Sequence, residues 1–171
     1  MSDLLKHVLV GDLIGSLAAN SKDPKKNNLA TVFMLGVISH AVMDISEPDY
    51  TINWFNRAEL ISALPFLTLQ VGGIGLVMEN TVRESRSCPR TLMLRMAGIL
   101  GAVIPDFIDG IYSILNPHAW YSGQLLCPWH IRTWQVNLMS MWGTSILTGA
   151  LALFRYKGAD FFRSLGKRFA T

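Results

Sequence analysis

Two long stretches without a charged residue constrain this chain more than any other feature of its sequence. They cover residues 60–78 (LISALPFLTLQVGGIGLVM) and 136–154 (VNLMSMWGTSILTGALALF). Because an α-helix rises about 1.5 Å per residue, each stretch is close to the length needed to cross a hydrocarbon core of roughly 30 Å. Both stretches therefore predict transmembrane helices, and the small residues of the second favour close helix packing in lipid.

Three further apolar segments each contain a few ionisable residues. They are residues 4–19 with Lys6, His7 and Asp12, residues 29–45 with His40 and Asp44, and residues 92–114 with Arg95, Asp106 and Asp109. The first segment either spans the membrane or lies partly buried against the other helices, and Pro105 predicts a kink or a restart in the third. Half of the 171 residues are apolar and only 16% are charged. We therefore expect one all-α domain over residues 1–171, an integral membrane bundle of four or five helices.

Lysine and arginine are distributed unevenly between the linkers. If the segments alternate across the bilayer, 12 of the 15 basic residues lie on one side, and Arg95 is counted there with the linker cations Arg83, Arg86 and Arg90. The positive-inside rule makes that side cytoplasmic and places the C-terminus there. The basic, aromatic tail at residues 155–171 directly follows a predicted span, so we expect it to contact lipid headgroups and not nucleic acid. The same topology separates Cys88 from Cys127, which argues against a disulfide bond.

All four histidines fall on the side opposite the basic linkers, His7 on the condition that the first segment spans the membrane with its N-terminus outside. His40 and Asp44 are four residues apart, Asp106 and Asp109 three apart, so each pair shares one face of a helix. Imidazole and carboxylate groups suit zinc, with manganese or iron as other possibilities. A divalent ion would also neutralise carboxylates that are costly at membrane depth, and it would lower the pKa of a bound water. The sequence therefore predicts a metal site on the outer face.

Each of these residues also has a simpler explanation. His40 and Asp44 can form a hydrogen-bonded pair between helices, Asp106 can cap a helix that restarts after Pro105, and Asp109 can be solvated at the surface. His118, which follows Asn-Pro in a turn, is more typical of a surface histidine. His7 and His130 are, individually, as often structural as ligating. Arg57 and Arg132 lie on the outer side, where a guanidinium binds either a substrate phosphate or a lipid headgroup.

Several motifs together resemble the membrane-bound metal-dependent hydrolase family, the LexA-regulated, YdjM-like proteins. They are KHVLVG near the start, SHAVMD, PDFID after the run GILGAVIPD, and the later pair of His130 and Arg132. The resemblance implies a small multi-helix membrane protein with metal-site positions at His7, Asp106, Asp109 and His130. His40 and Asp44 match a similar S-H-x-x-x-D helix. Residues 129–135 (WHIRTWQ) lack the glycine and the second histidine of the family's H-R-G-x-x-H-S motif.

These observations predict a metal-dependent hydrolase that acts on a phosphoester or lipid-like substrate at the outer membrane face. In this hypothesis the metal ligands are His7, His40, Asp44, Asp106 and His130, Asp109 is a further ligand or a general base, and Arg132 binds substrate charge. Three alternatives remain open at this point. The cluster can be a structural metal site or polar network without catalysis, or part of an ion or proton path. The chain can also be a soluble helical bundle whose buried helices imitate spans.

Overall fold

The fold is helical throughout the described part of the chain, apart from one short strand pair. A computed structural model describes residues 4–23, 25, 27–46, 49–50, 57–116, 118, 126–127, 132–133, 146–147, 149–151 and 153. The helices are α1 (Leu4–Ala19), α2 (Leu29–Ser46), α3 (Arg57–Glu84) and α4 (Pro89–Leu115). The predicted all-α architecture is therefore confirmed. Residues 146–147, 149–151 and 153 are also helical, while the rest of segment 136–154 and the tail 155–171 lie outside the described residues.

A two-residue parallel strand pair joins two of the linkers. Strand β1 (Asp49–Tyr50) pairs with β2 (Arg132–Thr133), with Asp49 opposite Arg132 and Tyr50 opposite Thr133. The sequence analysis did not predict these strands. Their pairing places residues 49–50 and 132–133 beside each other.

Local capping explains where two of the helices begin. The side-chain oxygen of Asn28 accepts hydrogen bonds from the backbone N–H groups of Ala30 (2.9 Å) and Thr31 (3.3 Å), which satisfies two donors at the start of α2. Helix α4 begins at Pro89, the position where the missing N–H of proline costs least.

Helices α1 and α2 both pack against α4 through glycine. A Cβ atom added to Gly11 would lie 2.5 Å from the carbonyl oxygen of Gly98, and one added to Gly36 would lie 2.6 Å from the same oxygen. A Cβ on Gly101 would collide with the backbone of Phe33. The three helix backbones therefore approach more closely than any side chain allows, as is typical of helix contacts in membranes. Helix α4 lies at the centre of this arrangement.

Helix α4 continues through Pro105, so the expected restart is wrong, whereas the expected kink stays a prediction. Proline removes the N–H that would bond to the carbonyl of residue 101 and crowds that carbonyl. Packing of α1 and α2 against α4 stabilises the helix in spite of this loss. Asp106 consequently lies inside a helix, so the explanation of Asp106 as the N-cap of a restarted helix is also wrong.

The described helices bury ionisable as well as apolar side chains and expose many large apolar ones. A small apolar core of Leu5, Val8, Val77 and Ile99 coexists with buried ionisable residues. Large apolar side chains lie instead on the outside of every helix, as shown by Leu17 (63% exposed), Val42 (61%), Val71 (70%) and Ile114 (78%). Exposed apolar surface of this extent indicates a contact with something other than water.

One helix among the described residues, α4, is long and apolar enough to cross a membrane. The apolar part of α2, Leu29–Ile45, is shorter, and the uncharged segment 60–78 lies within α3. Helix length and amino-acid composition are the two properties compared here.

Candidate metal centre

Three helices bring ionisable side chains together at one end of the bundle. His7 lies near the start of α1, His40 near the end of α2, and Asp106 in the C-terminal half of α4. Nitrogen atoms of both histidines and a carboxylate oxygen of Asp106 all lie within 4.8 Å of one another. Both histidines are fully buried, whereas Asp106 is partly exposed. This group can hold a metal ion.

Asp44 is in direct contact with both histidines. One carboxylate oxygen lies 3.2 Å from Nε2 of His7, and the other lies 2.9 Å from Nε2 of His40. The two imidazole rings are stacked, with their centroids 4.0 Å apart and their planes 26° from parallel. Four of the predicted site residues therefore lie together, three of them buried and Asp106 partly exposed. We call His7, His40, Asp44 and Asp106 the His–Asp cluster.

The hydrogen bond of His40 to the backbone determines which of its nitrogens can bind a metal. Nδ1 of His40 lies 2.6 Å from the carbonyl oxygen of Ala102. A carbonyl oxygen can only accept, so Nδ1 carries the proton, and a neutral imidazole then has its lone pair on Nε2. Nε2 is also the atom that faces Asp44. A backbone carbonyl that fixes the tautomer of a ligating histidine is the usual support in protein metal sites.

The candidate metal group consists of His7, His40 and Asp106, and Asp44 contacts both of its histidines at distances that are also compatible with a shared metal ion. Zinc binds nitrogen and oxygen ligands at about 2.0–2.2 Å in tetrahedral geometry, which places neighbouring ligand atoms roughly 3.3 Å apart. The nitrogen-to-oxygen distances of 2.9 and 3.2 Å around Asp44 are within a few tenths of an ångström of that value. Two carboxylates would neutralise a divalent ion, and the nearby C-terminal end of α2 also favours a cation. The donor set is therefore suited to a divalent metal.

Asp109 lies beside the cluster but makes a different set of contacts. It is 5% exposed, and its carboxylate accepts hydrogen bonds from the backbone N–H groups of Leu126 (2.9 Å) and Cys127 (3.2 Å). Asp109 therefore fastens residues 126–127 against α4. Its proposed role as ligand or general base stays a prediction.

Cys127 is a neighbour of the site that the sequence analysis did not single out, because its spacing from Cys88 matches no metal motif. Its thiol lies 3.8 Å from the carbonyl oxygen of Pro105. Burial, followed by the adjacent Asp109 carboxylate, raises the pKa of the Cys127 thiol to about 12. Both cysteines are free, in agreement with the expectation that they form no disulfide.

The remaining predicted residues are described only in part. His118 is exposed, which fits the surface histidine expected from its turn sequence. His130 lies outside the described residues. Arg132 lies in β2 and Arg57 begins α3, but the side chains of both are outside the described part.

A second buried cluster, which the sequence analysis missed, surrounds Arg95. Nε and one terminal nitrogen of Arg95 donate to the two oxygens of Asp12 at 2.6 and 2.8 Å, and the other terminal nitrogen donates to Glu84 at 2.8 Å. Thr81 donates a hydrogen bond of 2.8 Å to Asp12. Arg95 is 2% exposed, which corrects its assignment to the cytoplasmic linker cations. The sequence signal that could have predicted the Asp12–Arg95 pair is an opposite charge in each of two otherwise apolar segments.

No protein-family model, curated protein or solved structure matches this chain.

Proposed function

We propose that this chain is a membrane-embedded, metal-dependent hydrolase that acts on a phosphoester or lipid-like substrate. The observation that carries the proposal is the His–Asp cluster at one end of a helical bundle whose outer surface is apolar. A soluble metal hydrolase would expose polar side chains on its surface, whereas this bundle exposes leucine, isoleucine and valine. The cluster and the apolar surface together favour chemistry at a membrane interface.

Membrane lipids are the proposed surroundings of the bundle. Apolar side chains on the outside of all four helices match a hydrocarbon solvent, and the buried Asp12–Arg95 pair matches the rule that charges within a membrane face the bundle interior. The lysine and arginine distribution favours a cytoplasmic C-terminus and a metal site on the opposite face. We expect the full-length chain to stay in the membrane pellet after carbonate washing and to enter solution only with detergent. Release by carbonate would contradict the membrane location.

The His–Asp cluster would hold the ion through His7, His40, Asp44 and Asp106, with zinc favoured and manganese or iron as alternatives. Such an ion supplies a bound water of lowered pKa as a nucleophile and polarises the phosphoryl oxygen. Asp106 is the partly exposed member of the group, so we propose that substrate approaches beside it. In this hypothesis Asp109 accepts a proton, while His130 and Arg132 contribute a further ligand and a positive charge for the substrate phosphate.

A site at the end of the bundle meets phosphate-containing headgroups first, so phosphoesters are the substrates to test. We expect detergent-purified protein loaded with zinc, manganese or iron to hydrolyse a phosphodiester such as bis(p-nitrophenyl) phosphate, or phospholipid in mixed micelles. Asp106→Asn should abolish turnover, whereas Glu79→Gln, a change at an exposed carboxylate on α3, should leave it unchanged. Equal turnover in wild type and Asp106→Asn would contradict the proposal.

One observation favours a second candidate function, a structural metal site without catalysis. Both histidines are fully buried and Asp44 is 3% exposed, so most of the His–Asp cluster has no contact with solvent. In that case a chelator would lower the midpoint of thermal unfolding, and no phosphoester would be turned over under any metal loading. Metal-dependent turnover would exclude this alternative.

A further inference from the structure

Helix α1, which contributes His7, is held by buried polar contacts on both sides of that residue. Two residues before His7, the backbone N–H of Leu5 donates a hydrogen bond of 2.7 Å to the side-chain oxygen of Gln70 in α3. This N–H belongs to the first turn of α1, where a helix has no internal acceptor for it. Gln70 is 5% exposed. The contact therefore fixes the start of α1 against α3 in a place that water does not reach.

Five residues after His7, Asp12 forms the second contact. It accepts two hydrogen bonds from Arg95 in α4 and one from Thr81 in α3, and Asp12 itself is fully buried. A two-point contact between guanidinium and carboxylate restricts both the distance and the rotation between its partners. Asp12 is thus fixed relative to α3 and α4 together.

The glycine contact between α1 and α4 cannot define this register by itself. Gly11 and Gly98 let the two backbones approach closely, but glycine has no side chain that interlocks with the facing helix. A slip of one residue along α1 would turn the helix by about 100° and shift it by about 1.5 Å. Such a slip would remove His7 from the vicinity of His40 and Asp106. The polar contacts at Leu5 and Asp12 supply the restriction that glycine packing lacks.

We propose that Gln70, Asp12 and Arg95 are positioning residues of the metal centre, and this inference rests on the metal-binding part of the proposed function. They act through α1: their contacts set the depth and rotation that place Nε2 of His7 against Asp44. None of the three belongs to the ligand set of the His–Asp cluster. Asp12 and Arg95 are buried charges outside the ligand set, and a positioning role explains why they are buried.

The test is the zinc affinity of the full chain in detergent, measured by competition with a chelator on protein that elutes as a single folded species. The main variant is Asp12→Leu with Arg95→Met, which removes both charges, because a buried ion pair is often replaced by apolar residues without loss of folding. We expect zinc to bind this variant about 10–100-fold more weakly than wild type, the range found when supporting residues of metal sites are lost. Arg95→Lys keeps the charge but not the two-point contact, and should restore part of the affinity.

Two further variants separate positioning from stability alone. Gln70→Leu removes the uncharged contact with the backbone of Leu5 and should also weaken zinc binding. It provides a second test of positioning if the double variant does not fold. Arg90→Met changes an arginine of α4 that binds Asn27 at the surface, and zinc affinity should not change. Unfolding of each variant in chelator gives its stability without metal.

The outcomes separate this inference from the metal centre itself. Wild type that binds none of zinc, manganese and iron would overturn the metal centre and the inference together. Wild type that binds zinc, with the double variant and Gln70→Leu binding it equally tightly, would overturn the positioning role alone. A lower unfolding midpoint in chelator with unchanged zinc affinity would also overturn it, because the residues would then serve only stability.

Discussion

Replacement of Gly11 by alanine tests the close contact between α1 and α4 that the fold depends on. The new Cβ would lie 2.5 Å from the carbonyl oxygen of Gly98 and 2.7 Å from Cα of Ile99. Ordinary contact begins at 3.4 Å, so the closest approach is too short by about 0.9 Å. Both obstacles are backbone atoms, which cannot rotate away as the end of a side chain can. Helix α1 would therefore have to move away from α4.

The expected magnitude combines two opposing effects. Alanine in place of glycine inside a helix contributes up to about 1 kcal/mol of stability. Overpacking of a tight contact costs about 1–3 kcal/mol, and a backbone obstacle favours the upper part of that range. We therefore expect Gly11→Ala to lower the free energy of unfolding by about 1–2 kcal/mol. Gly75 in α3 has nothing within 4 Å of its added Cβ, so Gly75→Ala should change stability between zero and a gain of about 1 kcal/mol.

The assay is thermal or denaturant unfolding of the two variants and wild type in the same detergent. Gly11→Ala should unfold first and Gly75→Ala last or together with wild type. A midpoint for Gly11→Ala equal to or above that of Gly75→Ala would refute the close approach of the two helices.

Two other predictions concern charge. Arg95→Met alone should lower the free energy of unfolding by about 3–5 kcal/mol, because Asp12 would stay buried without its partner. Adding Asp12→Leu to Arg95→Met should recover most of this loss. Equal stability of the single and the double variant in denaturant unfolding would argue against the pair. Alkylation by iodoacetamide should distinguish the cysteines, since only the thiolate reacts. Hydrogen bonding to Thr91 lowers the pKa of exposed Cys88, while burial raises the pKa of Cys127 to about 12, so the Cys88 rate should rise at a much lower pH. Identical pH profiles would contradict these environments.

Sequence pattern predicted the helices well because apolar segments are bounded by polar linkers. The segment expected at residues 4–19 is α1, and the segment at 29–45 is α2 to within one residue. The proximity of His7, His40 and Asp106 could be predicted for a related reason. The expected alternation of the segments would place the start of one helix beside the ends of two others, so residues near those ends were expected to lie close together.

Contacts between distant residues could not be predicted in the same way. Asp12 and Arg95 are 83 positions apart, and the charge of Arg95 was grouped with nearby linker cations because sequence proximity was the only guide. Asp44 presented a similar difficulty: helical spacing pairs it with His40, but its contact with His7 depends on how α1 and α2 pack. The continuity of α4 through Pro105 depends likewise on packing by neighbouring helices and not on local propensity.

Binding of a divalent metal by the His–Asp cluster is tested most directly by the metal content of the protein, measured by elemental mass spectrometry. Wild type, His40→Ala and His118→Ala would be purified in detergent and reconstituted in turn with zinc, manganese and iron. We expect about one ion per chain in wild type and in His118→Ala, whose histidine is exposed and outside the cluster, and little or none in His40→Ala. Retention of the ion by His40→Ala, or no ion in wild type with any of the three metals, would contradict it.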